Sequence, residues 1–218
     1  MSIDKSEIAG VVLAGGQSRR MASAFASGGG DKGLLDLAGK PMLAHVLDRL
    51  APQVGGLVIN ANGDPGRFSR FGLDVVPDSI GGFVGPLAGV LAGMRWAAGK
   101  GGRFKFIVTV SSDAPLLPRD LVARLVAARA AHNGGIALAS SAGELHPVIG
   151  LWPVELADDL ETSLTQGVRK VLHWTDRHGT YGVDFDLVEV AGRRVDPFFN
   201  ANTPEELDEV RALLPLVS

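Results

Sequence analysis

Short apolar runs, each closed by glycine, proline or polar residues, recur along the first two thirds of the chain. They cover residues 8–14, 56–60, 73–76, 104–110 and 136–139, and runs of this length are typical of buried strands. Segments with helical periodicity lie between them, at residues 41–50, 86–98 and 118–132. Because strand and helix alternate, the pattern predicts an α/β fold with a parallel sheet covered by helices on both faces.

The alternation becomes less regular after about residue 145. Helical periodicity covers residues 154–164 and 168–174, and short strands are predicted near residues 181–185. Thr203, Pro204 and Glu206 predict the capped start of a final helix, because Thr203 can accept a hydrogen bond from the backbone of Glu206. We expect a single domain over residues 1–218.

Three polar or glycine-rich clusters directly follow predicted strands. They are residues 15–32, Asn60-Ala61-Asn62 and Ser111-Ser112-Asp113. In parallel sheets the ligand crevice lies outside the carboxyl ends of the strands. These clusters are therefore expected to converge on one ligand.

The first cluster has the composition of a phosphate-binding loop. Gly15 and Gly16 let the backbone approach a phosphate, and Arg19, Arg20 and Lys32 supply positive charge. The alternative is a glycine turn with arginines exposed to solvent. Neither the Walker A sequence nor the dinucleotide-binding fingerprint is present.

Two aspartates follow other predicted strands. Asp113 is placed to hold Mg²⁺, which takes one or two protein carboxylates and fills its other positions with water and substrate phosphates. Asp78 is placed to accept hydrogen bonds from a base or a ribose. The alternative for both is a turn, before Pro115 in one case and at Asp78-Ser79 in the other. Among five histidines, His146 beside Pro147 alone suggests a function.

Composition excludes several classes of function. A net charge of −3 gives no excess of positive charge for binding nucleic acid or an anionic membrane. The absence of cysteine rules out disulfides and thiolate chemistry. The first seven residues are polar and no apolar run is long enough to span a bilayer, so we expect a cytoplasmic protein.

Taken together, the clusters resemble those of the molybdenum cofactor guanylyltransferases. The motifs follow the family order over nearly the whole chain and are Leu13-Ala14-Gly15-Gly16, Arg20-Met21, Asp31-Lys32, Asn60-Ala61-Asn62, Pro77-Asp78-Ser79, Gly85-Pro86-Leu87-Ala88-Gly89, Asp113-Ala114-Pro115 and Asn200-Ala201-Asn202-Thr203-Pro204. The resemblance implies a three-layer α/β/α Rossmann-like nucleotidyltransferase fold with a mostly parallel central sheet.

The resemblance also implies the reaction. GMP is transferred from GTP to the phosphate of molybdenum-bound molybdopterin, with Mg²⁺ as cofactor and pyrophosphate as the second product. Residues 1–140 would form the nucleotide-binding part of the domain and residues 141–218 the acceptor-binding part. Molybdoenzyme apoproteins and other proteins of cofactor biosynthesis are the implied partners, and we expect a monomer.

The family's site residues map onto this chain by motif. Arg20, Lys32 and Asp113 are the implied catalytic residues, with Asp113 as the metal ligand. The implied GTP-binding residues are Leu13, Ala14, Gly15, Gly16, Lys32, Asn60, Asp78 and Asp113, and the late pair Asn200 and Asn202 is assigned to the acceptor side.

Some features leave alternatives open. Nine residues, 22–30, separate Met21 from Asp31, where the family usually has only a few. The second glycine of the opening motif favours GTP over CTP, because related cytidylyltransferases usually carry alanine earlier in that motif. The alternatives are a related nucleotidyltransferase that uses CTP or a sugar phosphate, and a catalytically silent nucleotide-binding regulator.

Overall fold

The computed structural model of the chain describes residues 3–14, 31–81, 85–201 and 203–214. Several residues singled out in the sequence lie outside the described ranges. They are Gly15, Gly16, Arg19, Arg20, the 22–30 insertion and Asn202. The roles expected for these residues stay predictions.

Strands and helices alternate through most of the described chain. In order they are β1 (Ile8–Leu13), β2 (Asp36–Leu37), β3 (Lys40–Pro41), α1 (Met42–Leu50), β4 (Gly56–Asn60), β5 (Asp74–Val76), α2 (Pro86–Ala98), β6 (Phe106–Ser111), α3 (Leu121–Ala131), β7 (Ala137–Ser141), β8 (Glu144–Pro153), α4 (Ala157–Thr165), α5 (Val171–Thr175), β9 (Tyr181–Phe185), β10 (Val188–Val190), β11 (Arg193–Val195) and α6 (Pro204–Leu213).

Seven of these strands form the central sheet, in the order β5-β4-β1-β6-β8-β7-β9. β1 pairs in parallel with β4 and β6, β5 pairs in parallel with β4, and β9 pairs in parallel with β7. β8 is antiparallel to both of its neighbours, β6 and β7. The α/β fold predicted from the alternation of elements is confirmed, and the sheet is mostly parallel, as the family resemblance implied, with β8 as the antiparallel strand.

Helices cover both faces of the sheet. Val12 of β1 packs in a core with Leu43 and Val46 of α1 and with residues of α3. Its neighbour Val11 points the other way, into a core with Met94 of α2 and with residues of α4 and α5. Because adjacent residues of one strand are both fully buried, β1 lies in the middle of a three-layer molecule.

β8, the longest of the described strands, was not predicted from the sequence. Pro147 and Gly150 lie inside it, and such residues normally argue against a central strand. The structure accommodates Pro147 in a bulge, because Leu138 pairs with Gly150 while the next residue, Ala139, pairs with His146. The β2–β3 and β10–β11 hairpins were also not predicted.

The last part of the chain adds a small third cluster of buried side chains. The β10–β11 hairpin and α6 pack there against Leu37 and Met42. Thr203 and Glu206 form the predicted capping box at the start of α6. Within the described ranges, no helix is both long and apolar enough to cross a membrane.

Candidate active site

Four parallel strands end at the same level of the sheet. Leu13 pairs with Asn60 on one side and with Ser111 on the other, and Asn60 pairs with Val76. Asp78 lies two residues after Val76, and Asp113 lies two residues after Ser111. The row spans three strand spacings, or about 14 Å, which is a suitable length for an extended nucleoside triphosphate.

At one end of the row, three polar side chains form a closed network. The buried Asn60 amide donates to Asp78 Oδ1 at 3.0 Å and to the Val76 carbonyl at 3.2 Å. The amide of Asn62 donates to Asp78 Oδ2 at 2.8 Å, and the Asp78 backbone N–H donates to Asn62 Oδ1 at 2.9 Å. The Asp78 carboxylate is thus oriented by amides on the adjacent strand end, and its remaining lone pairs can accept from a base or ribose.

Helix α2 closes this end of the site from one face of the sheet. A Cβ atom at Gly89 would lie 2.3 Å from Asn60 Oδ1 and 2.8 Å from Leu13 Cδ2. Only glycine lets the helix approach this closely. Gly89, the last residue of the Gly85-Pro86-Leu87-Ala88-Gly89 motif, therefore lets α2 pack against Asn60 and fix the position of its side chain.

At the other end of the row, Lys32 and Asp113 form an ion pair. Lys32 Nζ lies 3.3 Å from Asp113 Oδ2, and the Ser111 hydroxyl donates to Asp113 Oδ1. The two charged side chains are 17% and 14% exposed, respectively. A Cβ at Gly33 would lie 3.0 Å from the Ser112 Cβ, so a glycine after Lys32 allows this close approach.

Between the two ends, backbone hydrogen bonds fix the exit of β1. The Leu13 carbonyl accepts from the Ser112 N–H at 3.1 Å, and the Ala14 N–H donates to the Asn60 carbonyl at 2.8 Å. The structure thus brings together Leu13, Ala14, Lys32, Asn60, Asp78 and Asp113. Gly15, Gly16 and Arg20 follow Ala14 in the chain but lie outside the described residues.

The late asparagine motif reaches the Asp113 end of the row. The Ala201 N–H lies 3.4 Å from the Asp113 carbonyl, and this contact places the neighbouring Asn200 beside the loop that carries Asp113. Asn202, the second member of the predicted pair, lies outside the described residues.

Arg67 also lies at the site, although the sequence did not predict a role for it. Its guanidinium group donates to the Asp31 carboxylate and to the carbonyls of Asp64 and Asn62, the latter two at 2.6 Å. It thereby ties the residue before Lys32 to the loop that orients Asp78. The sequence carries no periodic signal for this link, because Arg67 lies 36 residues from Asp31.

The residues at Asp113 are chemically suited to Mg²⁺. In the described part of the chain, no cluster of three or more acidic or histidine side chains forms a metal cage. A single carboxylate is instead the protein ligand expected where substrate phosphates and water complete the coordination, and the neighbouring Lys32 supplies positive charge for those phosphates. Asp113 therefore fits a metal that arrives with a nucleotide.

Comparison with known proteins identifies the family. The model of the MobA-like NTP transferase domain matches residues 10–180. A molybdenum cofactor guanylyltransferase from Bradyrhizobium sp. is 50% identical over 207 residues, which are 94% of this chain and 92% of that protein. The chain belongs to the molybdenum cofactor guanylyltransferase family. It is therefore a nucleotidyltransferase enzyme, as the motifs predicted.

Other members of the guanylyltransferase family support the assignment. The Mesorhizobium japonicum enzyme is 50% identical over 211 residues, which cover 96% of this chain and 97% of that protein. The fold is shared with the molybdopterin-guanine dinucleotide biosynthesis protein A of Archaeoglobus fulgidus, with a TM-score of 0.67 at 22% identity. That structure covers 95% of this chain, and 98% of its own chain is covered. The predicted nucleotidyltransferase fold is confirmed.

Proposed function

We propose that this guanylyltransferase-family chain transfers GMP from GTP to the phosphate of molybdenum-bound molybdopterin. Pyrophosphate leaves, and the guanine dinucleotide form of the cofactor is the product. The names of relatives at 50% identity over nearly the whole chain support this reaction. The observation that carries it is the single row of strand ends with Asp78 at one end and the Lys32–Asp113 pair at the other.

The charges along the row give the bound GTP a direction. Asp78 repels phosphates but accepts hydrogen bonds, so we assign guanine and ribose to its end, with Leu13, Ala14 and Asn60. Lys32 attracts phosphates, so we assign the triphosphate to the opposite end. Gly15, Gly16 and Arg20 lie outside the described residues, and we keep for them the roles implied by the motifs, guanine binding for the glycines and phosphate binding for Arg20. The two ends of the row are close enough for one bound GTP to contact both of them.

The chemical step is a direct displacement at the α-phosphorus. An oxygen of the acceptor phosphate forms the new P–O bond while the bond to the β-phosphate bridging oxygen breaks, and pyrophosphate leaves with that electron pair. Lys32 neutralises negative charge on the phosphates, as preorganised cations do in phosphoryl transfer. Mg²⁺ held by Asp113 would supply further charge neutralisation and orient the phosphates.

The second substrate is assigned to the later part of the same domain. We assign GTP to residues 1–140 and the molybdopterin acceptor to residues 141–218, with Asn200 and Asn202 on the acceptor side. The contact between Ala201 and Asp113 supports this arrangement, because it brings the two parts together beside the reacting phosphates.

Thermal unfolding with different nucleotides tests the binding half of the proposal. Selective binding to the folded state raises the unfolding temperature by mass action. We expect GTP with Mg²⁺ to raise it more than CTP, ATP or UTP do. An equal or larger shift with CTP contradicts the assignment of GTP.

Release of pyrophosphate in the presence of the acceptor tests the catalytic half. Lys32→Ala and Asp113→Ala are each expected to lower the rate by about a hundredfold or more. Lys100→Ala, an exposed lysine that pairs with Asp74 at the far end of α2, is the matched control and should retain full activity. Near-normal turnover by folded Lys32→Ala or Asp113→Ala contradicts the assigned roles.

A further inference from the structure

Three polar side chains form a second cluster outside the nucleotide row. Ser141 is the last residue of β7, His146 lies near the start of β8, and Asp196 follows β11. The Ser141 hydroxyl lies 2.6 Å from His146 Nε2 and donates to Asp196 Oδ1 at 2.9 Å. The His146 ring also packs on the buried Phe198 ring, with 4.7 Å between ring centroids.

This cluster lies on the same edge of the sheet as the proposed nucleotide site. β7 runs in the same direction as β6, since both are antiparallel to β8, so Ser141, at the end of β7, and Asp113, just after β6, lie at the carboxyl ends of their strands. One short loop joins the two places. It begins where Asp196 accepts from the Phe198 N–H at 2.8 Å, and it ends where the Ala201 N–H contacts the Asp113 carbonyl.

The hydrogen bonds fix which nitrogen of His146 carries the proton. Ser141 gives its single hydrogen to Asp196, so His146 Nε2 must donate its own to the serine oxygen. In the neutral ring, Nδ1 then carries a lone pair. Burial lowers the pKa of His146 against the opposing effect of Asp196 and Glu144, and this favours the neutral ring.

The groups around His146 indicate which kind of ligand can donate a hydrogen bond to Nδ1. Among the described residues, no protein group donates a hydrogen bond to Nδ1, and the side chain is 19% exposed. Asp196 and Glu144 place negative charge nearby, which disfavours a phosphate. A neutral heterocycle with N–H donors fits this position.

We propose that His146 binds the pterin ring of the acceptor, with Nδ1 accepting a hydrogen bond from a ring or exocyclic N–H. Ser141 and Asp196 are positioning residues that set the tautomer and orientation of the imidazole. This inference rests on the proposed function, because the acceptor of that reaction is a pterin. The acceptor's phosphate then extends along the 196–201 loop toward Asp113.

Two substitutions separate the ring nitrogens. His146→Gln places its amide near the Nε2 position and keeps the contact with Ser141, whereas His146→Asn places an amide oxygen near Nδ1. We expect His146→Gln to raise the KM for the acceptor about five- to tenfold, the range expected for one lost hydrogen bond. His146→Asn should stay closer to wild type, and the KM for GTP should be unchanged in both.

Controls distinguish a binding role from a structural one. His173→Gln, at an exposed position of α5, should leave both KM values unchanged. Binding of a phosphate-free pterin, followed by its fluorescence, should weaken in His146→Gln without any turnover. If His146→Gln does not fold, Ser141→Ala replaces it, since loss of the hydroxyl releases Nε2 and should also raise the acceptor KM.

The outcomes separate this inference from the proposed function. No GMP transfer by the wild-type protein overturns both. Normal transfer by the wild type, together with an unchanged acceptor KM in His146→Gln or its replacement, overturns the role of His146 alone. Equal increases in both KM values also overturn it, because they indicate a general loss of site structure.

Discussion

Arg67 is a residue whose value to the site depends on its geometry rather than on its charge alone. Its planar guanidinium donates to the Asp31 carboxylate and to the carbonyls of Asn62 and Asp64. Asp31 precedes Lys32, and Asn62 holds Asp78. Arg67 therefore connects the phosphate end of the row to its nucleoside end without being assigned a contact with substrate.

Replacing Arg67 is expected to weaken GTP binding more than it slows the chemical step. Arg67→Ala should raise the KM for GTP about tenfold, because it removes charge-assisted hydrogen bonds from a partly buried site. Arg67→Lys should not restore it, since an ammonium cannot meet three acceptors in the geometry of a guanidinium fork. Steady-state kinetics with both variants measures this.

Arg70 provides the matched control for Arg67. It lies on the same short 3₁₀ helix, Pro65–Phe71, at an exposed position, and Arg70→Ala should leave the KM for GTP unchanged. If Arg67→Lys behaves as wild type, charge alone is sufficient and the geometric role is wrong.

Residues at or just after the end of a strand were recognisable from the sequence, whereas those joined by distant contacts were not. Asn60, Asp78 and Asp113 stand where apolar runs end, and parallel strands bring such ends together. Ser141 and Asp196 are 55 residues apart, and no periodicity links two such positions. The structure is needed to see that Ser141, His146 and Asp196 form one group.

Helix α2 shows how a whole element positions the site. Gly89 and Gly93 lie four residues apart on one face of the helix, and added Cβ atoms there would lie 2.3 Å from Asn60 Oδ1 and 2.6 Å from Val11 Cγ2. The two glycines let the helix backbone lie directly on the sheet. The depth of this packing determines where the Asn60 amide points.

Gly89→Ala is expected to disturb both stability and nucleotide binding. The new methyl group must displace Asn60 or the helix, and overpacking of this kind costs on the order of 1–3 kcal/mol. We expect a lower unfolding temperature together with a higher KM for GTP. Gly99→Ala, at the right-handed C-terminal cap of α2 with no contact closer than 3.4 Å, should change neither. Loss of stability with an unchanged KM for GTP contradicts the link between α2 and Asn60.

Strands could be predicted where the local pattern of apolar residues agrees with how the strand is paired in the sheet. β1 is a continuous apolar run, because both of its faces are covered. β8 is equally central but contains Pro147 and Gly150, and it pairs through a bulge. At Gly150, a Cβ would lie 2.7 Å from the Ala137 carbonyl. Gly150 argues against a strand in the sequence, but the pairing of β8 with β7 therefore requires it.

At the scale of the whole molecule, the strand order separates the two proposed substrates. The nucleotide row uses β5, β4, β1 and β6, and the His146 cluster lies on β7 and β8, which are the next strands in the sheet. Two cores, one on each face, support all of these strands. The proposed acceptor site is therefore held by the same rigid sheet as the nucleotide site.

The stability of the whole molecule should depend on pH through the buried His45 and the half-buried His146. His45 of α1 is 9% exposed, and its Nε2 lies 2.7 Å from the Leu37 carbonyl. Burial lowers its pKa below the ordinary value of 6.5, and Lys40 and Arg49 add to that effect. The unfolded chain therefore takes up a proton at a higher pH than the folded chain does.

This difference in proton uptake gives the pH dependence a definite sign. Between pH 6.5 and the lower pKa of folded His45, the unfolded state binds more protons, so the free energy of unfolding falls as the pH falls. One such histidine contributes at most about 1.4 kcal/mol per pH unit. Unfolding temperatures measured from pH 7.5 to pH 5 should decrease accordingly. His45→Gln, which can still donate to Leu37, should reduce the slope but not abolish it, because the pKa of His146 is lowered as well. The same slope in His45→Gln as in wild type contradicts the contribution of His45.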